Sequence, residues 1–168
     1  MYQVQHASRR EFVTVRGLRY HLRIWDQPHG TQAKPPPVFL LHGWMDVAAS
    51  YQFMVDALAS AFKQGRSLIA PDWRGFGHTD VPPTDCFWFP DYLADLDCLV
   101  DHYSPGVPVD LVGHSMGGNV AMLYAGGRPE RVRRRINLDG FGMPETSASE
   151  APTRYARWMD EMAALRRG

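Results

Sequence analysis

Val109-Asp110-Leu111-Val112-Gly113-His114-Ser115-Met116-Gly117-Gly118 is a short apolar run that ends in the spacing G-x-S-x-G and leads into a helical stretch. Such a pattern sets a serine on a sharp turn between a strand and a helix, with its hydroxyl raised at the top of a sheet. Gly113 and Gly117 flank the serine because the tight turn brings neighbouring backbones too close for a Cβ. The helix N-terminus that follows offers free N–H groups and a dipole that favours developing negative charge. Ser115 is therefore the candidate nucleophile. The structural alternative is a glycine-rich turn that happens to hold a serine. A serine nucleophile needs a base, and in this arrangement the acid and the histidine come after it in chain order. The chain has seven histidines, and the last of them is His114.

Upstream, Val38-Phe39-Leu40-Leu41 is a continuous apolar run, as expected of a strand covered on both faces. His42-Gly43-Trp44 follows it. Acyl transfer needs two converging backbone N–H donors for the oxyanion, one from the residue after the nucleophile and one from the loop after an earlier strand. Met116 and Trp44 occupy those positions. His42 is placed to brace this loop rather than to act as base. Leu68-Ile69-Ala70 is another buried strand, and it runs into Pro71-Asp72-Trp73-Arg74-Gly75-Phe76-Gly77-His78-Thr79-Asp80. Asp72 reads as a turn former bonded to its own loop, and His78 as a remote candidate for a base.

Residues 11–25 alternate apolar and polar on both sides of Arg16-Gly17, the mark of an antiparallel hairpin. Residues 26–37 form a loop with three consecutive prolines. Helical spacing predicts helices over 51–62, with Phe53, Met54, Ala57, Leu58 and Ala61 inward, and over 90–103, with Leu93, Leu96, Val100 and Tyr103 inward. The nucleophile turn feeds a helix over 117–126. A last strand is expected at 136–140 and an amphipathic helix over 152–167. Strands alternating with helices after a hairpin predict an α/β fold: a mostly parallel sheet of about six strands with helices on both faces.

The 168 residues suffice for one domain with a real core. Balanced charge, 18 basic against 18 acidic residues, argues against a nucleic-acid partner. Arg128, Arg131, Arg133, Arg134 and Arg135 form a basic run, but it lacks interleaved aromatics and suits the end of a helix. Cys86 and Cys98 give no disulfide framework, no run reaches membrane-span length and the first residues lack an apolar signal core, so a cytoplasmic protein is expected. Asp97 and Asp101 lie four apart on the 90–103 helix and read as a solvated face. No metal or organic cofactor is expected. Phe87-Trp88-Phe89 and the Tyr155/Trp158/Met159/Met162 face are candidates for the wall of an apolar pocket, with core burial as the alternative.

Leu40-Leu41-His42-Gly43-Trp44, Asp72-Trp73-Arg74-Gly75-Phe76-Gly77 and Gly113-His114-Ser115-Met116-Gly117-Gly118 together resemble three landmarks of the α/β-hydrolase superfamily, in the family's order. The resemblance covers residues 12–142. It implies a serine hydrolase of the lipase and esterase kind, acting on an ester or similar small carbonyl substrate. Relatives that open epoxides or remove halides carry aspartate at the nucleophile position, so Ser115 argues against both. Thr79 stands where the family commonly has serine. The family's later strands deliver the acid and then the histidine, and neither strand is present, so the chain resembles a C-terminally truncated hydrolase. Residues 1–142 would then be the N-terminal part of the core and 143–168 the start of a cap. Asp139, at the end of the last strand, is a possible triad acid or a cap for the turn that follows. Beyond the small-molecule substrate, the unpaired edge of that strand predicts self-association or a complementing chain, with Trp158, Met159 and Met162 folding back as cover. The alternative to an enzyme is a non-catalytic module that binds a ligand or partner.

Overall fold

The structure is a computed structural model that describes residues 2–26, 35–58, 65–81, 83, 87–142 and 145–165, without the side chains of Met162 and Leu165. Cys86 and residues 59–62 of the helix expected over 51–62 lie outside the described residues, as do 27–34 of the first loop, 143–144 of the cap and 166–168. The strands are β1 (Arg9–Val15), β2 (Leu18–Trp25), β3 (Val38–Leu41), β4 (Leu68–Pro71), β5 (Val109–His114) and β6 (Val132–Leu138). The helices are α1 (Tyr51–Leu58), α2 (Phe89–Tyr103), α3 (Met116–Gly127) and α4 (Ala151–Leu165). No helix among the described residues is long and apolar enough to cross a membrane.

The sheet order is β1-β2-β4-β3-β5-β6. β1 and β2 form the expected hairpin, turning at Arg16 and Gly17 with φ of 47° and 82°. Both residues are left-handed, which lets a two-residue turn follow the twist of its strands. β2 runs antiparallel to β4, and β4, β3, β5 and β6 are mutually parallel. Alternate residues of β3 serve the two faces: Phe39 and Leu41 pack under α2 and α3, whereas Val38 and Leu40 pack under α1. A strand buried on both sides reads as a continuous apolar run for that reason.

Two elements depart from the pattern in the sequence. Helix α1 buries Tyr51, Gln52 and Val55 and leaves Phe53 and Leu58 exposed. Polar anchors rotate it: the Tyr51 hydroxyl donates to the Leu41 carbonyl at 2.8 Å, and Gln52 accepts from Trp25 Nε1 at 3.2 Å and donates to the His6 carbonyl at 2.8 Å. Phe53 instead meets the likewise exposed ring of Tyr2, with ring centroids 4.7 Å apart.

β6 begins at Val132, so Arg133, Arg134 and Arg135 extend along a strand rather than ending a helix. Asp110 on β5 supplies the reason. Its carboxylate accepts from Arg133 Nε at 2.8 Å and Nη2 at 2.6 Å, and from Arg66 Nη1 at 2.6 Å. Asp97 and Asp101 lie on a solvated face, 43% and 72% exposed, and also bond across to the next helix. Asp97 accepts from the Tyr124 hydroxyl at 2.9 Å and pairs with Arg128, and Asp101 pairs with Arg131, which ties α2 to the end of α3.

The outer edge of β6 has no strand partner among the described residues, and Ile136 and Leu138 are exposed. On the α1 side a groove of about 840 Å³, lined by Val38, Met54, Val112, Ile136 and Leu138, runs beneath β5 and β6. The expected cover does not form: Trp158 and Met159 are both 57% exposed on α4. Their helix meets no part of the sheet closely enough to bury its apolar face, and Met162's side chain is outside the described residues.

Candidate active site

Ser115 sits between β5 and α3 with φ 50° and ψ −115°, a combination that costs a non-glycine residue about 1–3 kcal/mol. Packing and hydrogen bonds hold it there. The Ser115 N–H donates to the Leu138 carbonyl at 2.8 Å, and its carbonyl accepts from the Asn119 N–H at 3.1 Å. A Cβ on Gly117 would run into the Leu41 and His42 carbonyls, and one on Gly113 would strike the Gly117 backbone. The glycines at these two positions therefore let the turn lie directly against β3.

The loop after β3 comes equally close. A Cβ on Gly43 would lie 3.2 Å from the Ser115 Cβ and 3.1 Å from His114 Nδ1. Among the described residues no acceptor meets the N–H of Trp44 or of Met116. His42 is fully buried and braces this loop. Its Nε2 accepts the Trp73 N–H at 2.9 Å, and its Nδ1 donates to the Gly43 carbonyl at 2.7 Å. A backbone N–H can only donate, so Nε2 carries no proton and the ring is neutral. Trp73 Nε1 returns a bond to the His42 carbonyl at 3.0 Å.

Burial pushes the His42 pKa down, against smaller upward contributions from the Gly43 carbonyl, Asp72 and Asp46. Burial likewise lowers His21, partly offset by its bond to Asp72. Protons therefore bind the unfolded chain more readily than the folded one as pH falls below the ordinary histidine value near 6.5. The stability these rings contribute is complete above that pH and is lost progressively on acidification. Urea denaturation midpoints are expected to decrease from pH 7 to pH 5.5; a flat or rising series would show that neither ring is held neutral.

Asp72 does more than form its own turn. Its carboxylate accepts from the His78 N–H at 2.9 Å, from His21 Nδ1 at 2.8 Å and from the Ala48 N–H at 2.7 Å, so three segments meet on it. Thr79 serves well at its position: its hydroxyl donates to the Asp72 carbonyl at 2.7 Å and accepts the His21 N–H at 2.9 Å. The His78 ring lies 5.0 Å from that of His21 on β2, three strand positions and about 14 Å from β5. Among the described residues no histidine ring bonds to the Ser115 hydroxyl.

Asp139 follows Leu138, whose carbonyl binds the Ser115 N–H, and takes a left-handed φ of 62°. It does not cap the turn after it. Asn137 does so, accepting the Gly140 N–H at 2.9 Å and donating to the Gly140 carbonyl at 2.7 Å, and Asn119 accepts the Gly142 N–H at 2.8 Å. The Asp139 carboxylate is exposed, and no described residue donates to it. The two asparagines escaped the sequence reading, although asparagine three residues before a glycine turn is a recognisable signal.

A buried cluster behind the site also escaped it. Asp95 is fully buried, accepts from Arg74 Nε at 2.6 Å and Nη2 at 2.7 Å, and takes further bonds from the Tyr20 hydroxyl at 2.7 Å and Arg16 Nη1 at 3.1 Å. These bonds anchor the 72–80 loop to α2 and to the hairpin. The arrangement thus gathers Ser115, two free N–H donors beside it and one exposed carboxylate at the adjacent strand end. Among the described residues no group of three or more histidine, cysteine or acidic side chains is placed to hold a metal ion.

Residues 36–166 match the family described as the alpha/beta hydrolase fold. A serine hydrolase-like protein of Danio rerio is 30% identical over 140 residues, covering 83% of this chain and 40% of that protein. Epoxide hydrolase 2 of Siraitia grosvenorii is 31% identical, covering 82% of this chain and 39% of that protein. Among solved structures, the thioesterase domain from the curacin biosynthetic pathway superposes with a TM-score of 0.70 at 27% identity, covering 88% of this chain and 50% of that one. The chain spans about two fifths of the length of these curated relatives.

Proposed function

The chain belongs to the α/β-hydrolase fold family, and on that premise we propose that it carries the nucleophile of a serine hydrolase acting on an ester or similar small carbonyl substrate. The observation that carries this reading is the strained turn at Ser115, with the free N–H groups of Met116 and Trp44 beside it. Strain of this kind persists only where the surroundings enforce it, and it is concentrated at reacting groups. In the proposed reaction the Ser115 oxygen bonds to the substrate carbonyl carbon while its proton passes to a base. The two N–H groups stabilise the resulting oxyanion. Collapse of the intermediate expels the alcohol, which takes that proton, and leaves an acyl-serine. Water then releases the acid and restores the hydroxyl.

Serine at position 115 favours this chemistry over the epoxide opening named for one relative, because the epoxide hydrolases that the motifs resemble use aspartate there. We assign Asp139 the role of triad acid, and we place the histidine in the part of the fold that this chain does not span. Residues 1–142 form the core of this reading and 143–168 begin its cap; the exposed apolar face of α4 suits such a role.

A fluorophosphonate probe followed by peptide mapping tests the assignment. Slow labelling confined to Ser115, and abolished in Ser115→Ala, is the expected result. Turnover of activated esters should stay near the residual 10³–10⁴-fold over water that an oxyanion hole and binding supply without a full triad, on the order seen in proteases. Labelling at another residue would remove Ser115 from the mechanism. Labelling no faster than in the urea-unfolded chain would favour a non-catalytic binding module, the reading that the missing histidine contact supports.

A further inference from the structure

We infer that the face of the β1–β2 hairpin on the side of α1 holds a binding site for a phosphate group, formed by Arg10, Arg23 and Ser8. The site is separate from Ser115, since β4 and β3 stand between β2 and β5 in the sheet. It does not depend on the hydrolase reading. In the hairpin register Arg10 stands directly opposite Arg23, and Phe12 opposite His21. Alternate residues of a strand share a face, so these four side chains lie on one surface. Trp25, two residues beyond Arg23, and Ala70, which pairs with Arg23 on β4, place that surface on the side of α1.

Like charges directly opposite each other on neighbouring strands repel and destabilise the pair. Here the two guanidiniums lean in opposite directions along the hairpin and settle on neutral acceptors. Arg10 Nε donates to His21 Nε2 at 3.2 Å, and Arg23 Nη1 donates to Ser8 Oγ at 3.2 Å. Among the described residues neither arginine has a carboxylate within ion-pair reach, and Asp85 is the one acidic side chain outside that set. The nearby carboxylates are committed elsewhere: Asp72 to His21 and to the Ala48 and His78 N–H groups, Asp80 to Arg19, and Asp56 to the His6 N–H. His21 is neutral, because Nε2 accepts from Arg10 while Nδ1 donates to Asp72, so its ring cancels neither charge. Asp72 itself is buried behind that ring.

Arg23 supplies a second, independent observation. Its side chain is half-buried, and its Nε is shielded from solvent and meets no acceptor among the described residues. A buried donor without an acceptor is costly, and native structures seldom keep one without a use. An oxyanion seated between the two side chains would take that Nε, the Nη2 of Arg23, the Nη groups of Arg10 and the Ser8 hydroxyl proton. It would also lift the repulsion between the opposed charges. Guanidinium forks bind phosphate through paired, charge-assisted hydrogen bonds. A phosphate dianion brings two charges and acceptors in several directions, which suits two forks, whereas a single carboxylate suits one. The ligand class is therefore a phosphate, either the free ion or the end of a monoester.

Isothermal titration calorimetry with inorganic phosphate at low ionic strength tests the site, and saturable binding is the expected result. Arg23→Gln should weaken it about tenfold, as for the loss of charge-assisted hydrogen bonds, and the more exposed Arg10→Gln about threefold. Arg157→Gln removes the same charge from α4 and should leave the affinity within about twofold. In phosphate-free buffer both hairpin variants should keep at least the urea midpoint of the parent, since each removes one of two opposed charges. Phosphate should raise the midpoint of the parent more than that of the variant carrying both substitutions. Phenyl phosphate distinguishes the source of the ligand: tighter binding than inorganic phosphate assigns the site to a monoester, and equal or weaker binding assigns it to the free ion. Absence of saturable binding, equal losses in Arg23→Gln and Arg157→Gln, or a hairpin variant that unfolds more readily than the parent would each overturn the inference.

Discussion

Alanine in place of Gly117 is expected to remove a large share of the native stability of the chain. A single added methyl at this position meets the carbonyl groups of Leu41 and His42, which belong to β3 and its loop and have no rotamer to retreat into. Overpacking against yielding side chains costs about 1–3 kcal/mol; against two backbone carbonyls the cost should be at or above the top of that range. Natural domains hold only about 5–15 kcal/mol in reserve. Gly126→Ala provides the control. It lies in the same helix with nothing within 4 Å of the added Cβ, so the helix-forming preference of alanine should raise stability by up to about 1 kcal/mol. Urea denaturation followed by circular dichroism separates the two. Equal midpoints for both variants would mean that α3 can shift away from β3 without loss, and that the close seating of Ser115 is not enforced.

Truncating Asp95 is expected to destabilise the fold by about 3–5 kcal/mol, the usual effect of leaving a buried ion without its partner. Among the described residues the Arg74 guanidinium would keep only Asp91, at 3.4 Å, as a countercharge, and the Tyr20 hydroxyl would lose its acceptor. Asp95→Asn should be milder, since an amide oxygen still accepts hydrogen bonds while the charge is lost. Replacing Arg74 and Asp95 together by Met and Leu should recover much of the loss, because no isolated charge remains in the core. A double variant as unstable as Asp95→Ala alone would show that the cluster acts through shape rather than through charge.

The readable parts of this molecule were those with a local signature. A glycine pair around a serine, a continuous apolar strand and a two-residue hairpin turn each follow from short-range sterics, and each appears where the sequence puts it. The misread parts depend on residues far apart in the chain. Phe53 and Leu58 look like the inner face of a helix until Tyr51 and Gln52 find acceptors and donors on β3, β2 and the N-terminal arm. Three consecutive arginines look like a helix end until Asp110, 23 residues earlier than Arg133, offers them a strand partner. Asp95 gave no sign of its burial, because Arg74, Tyr20 and Arg16 reach it from separate segments. At the candidate site, the loop at Gly43 lies against Ser115, and the turn at Ser115 has the strained form that its flanking glycines suggest. The turn beyond Asp139 is held by asparagines that reasoning about charge passed over.

The strand order also dictates the sequence in which the protein can be assembled during synthesis. β1, β2, β3 and β4 all lie within the first 71 residues and pair only with one another, apart from one free side of β3. A four-stranded sheet can thus close while the segment from Val109 onward is still inside the ribosome. β5 then docks along the waiting side of β3, Val38 meeting Asp110 and Leu41 meeting Gly113. Leu41 and His42, whose carbonyls confine Gly117, are already in place when that docking occurs. The serine turn is moulded late, against a surface made early, so an error in the nascent first half is inherited by the geometry of the turn in the second.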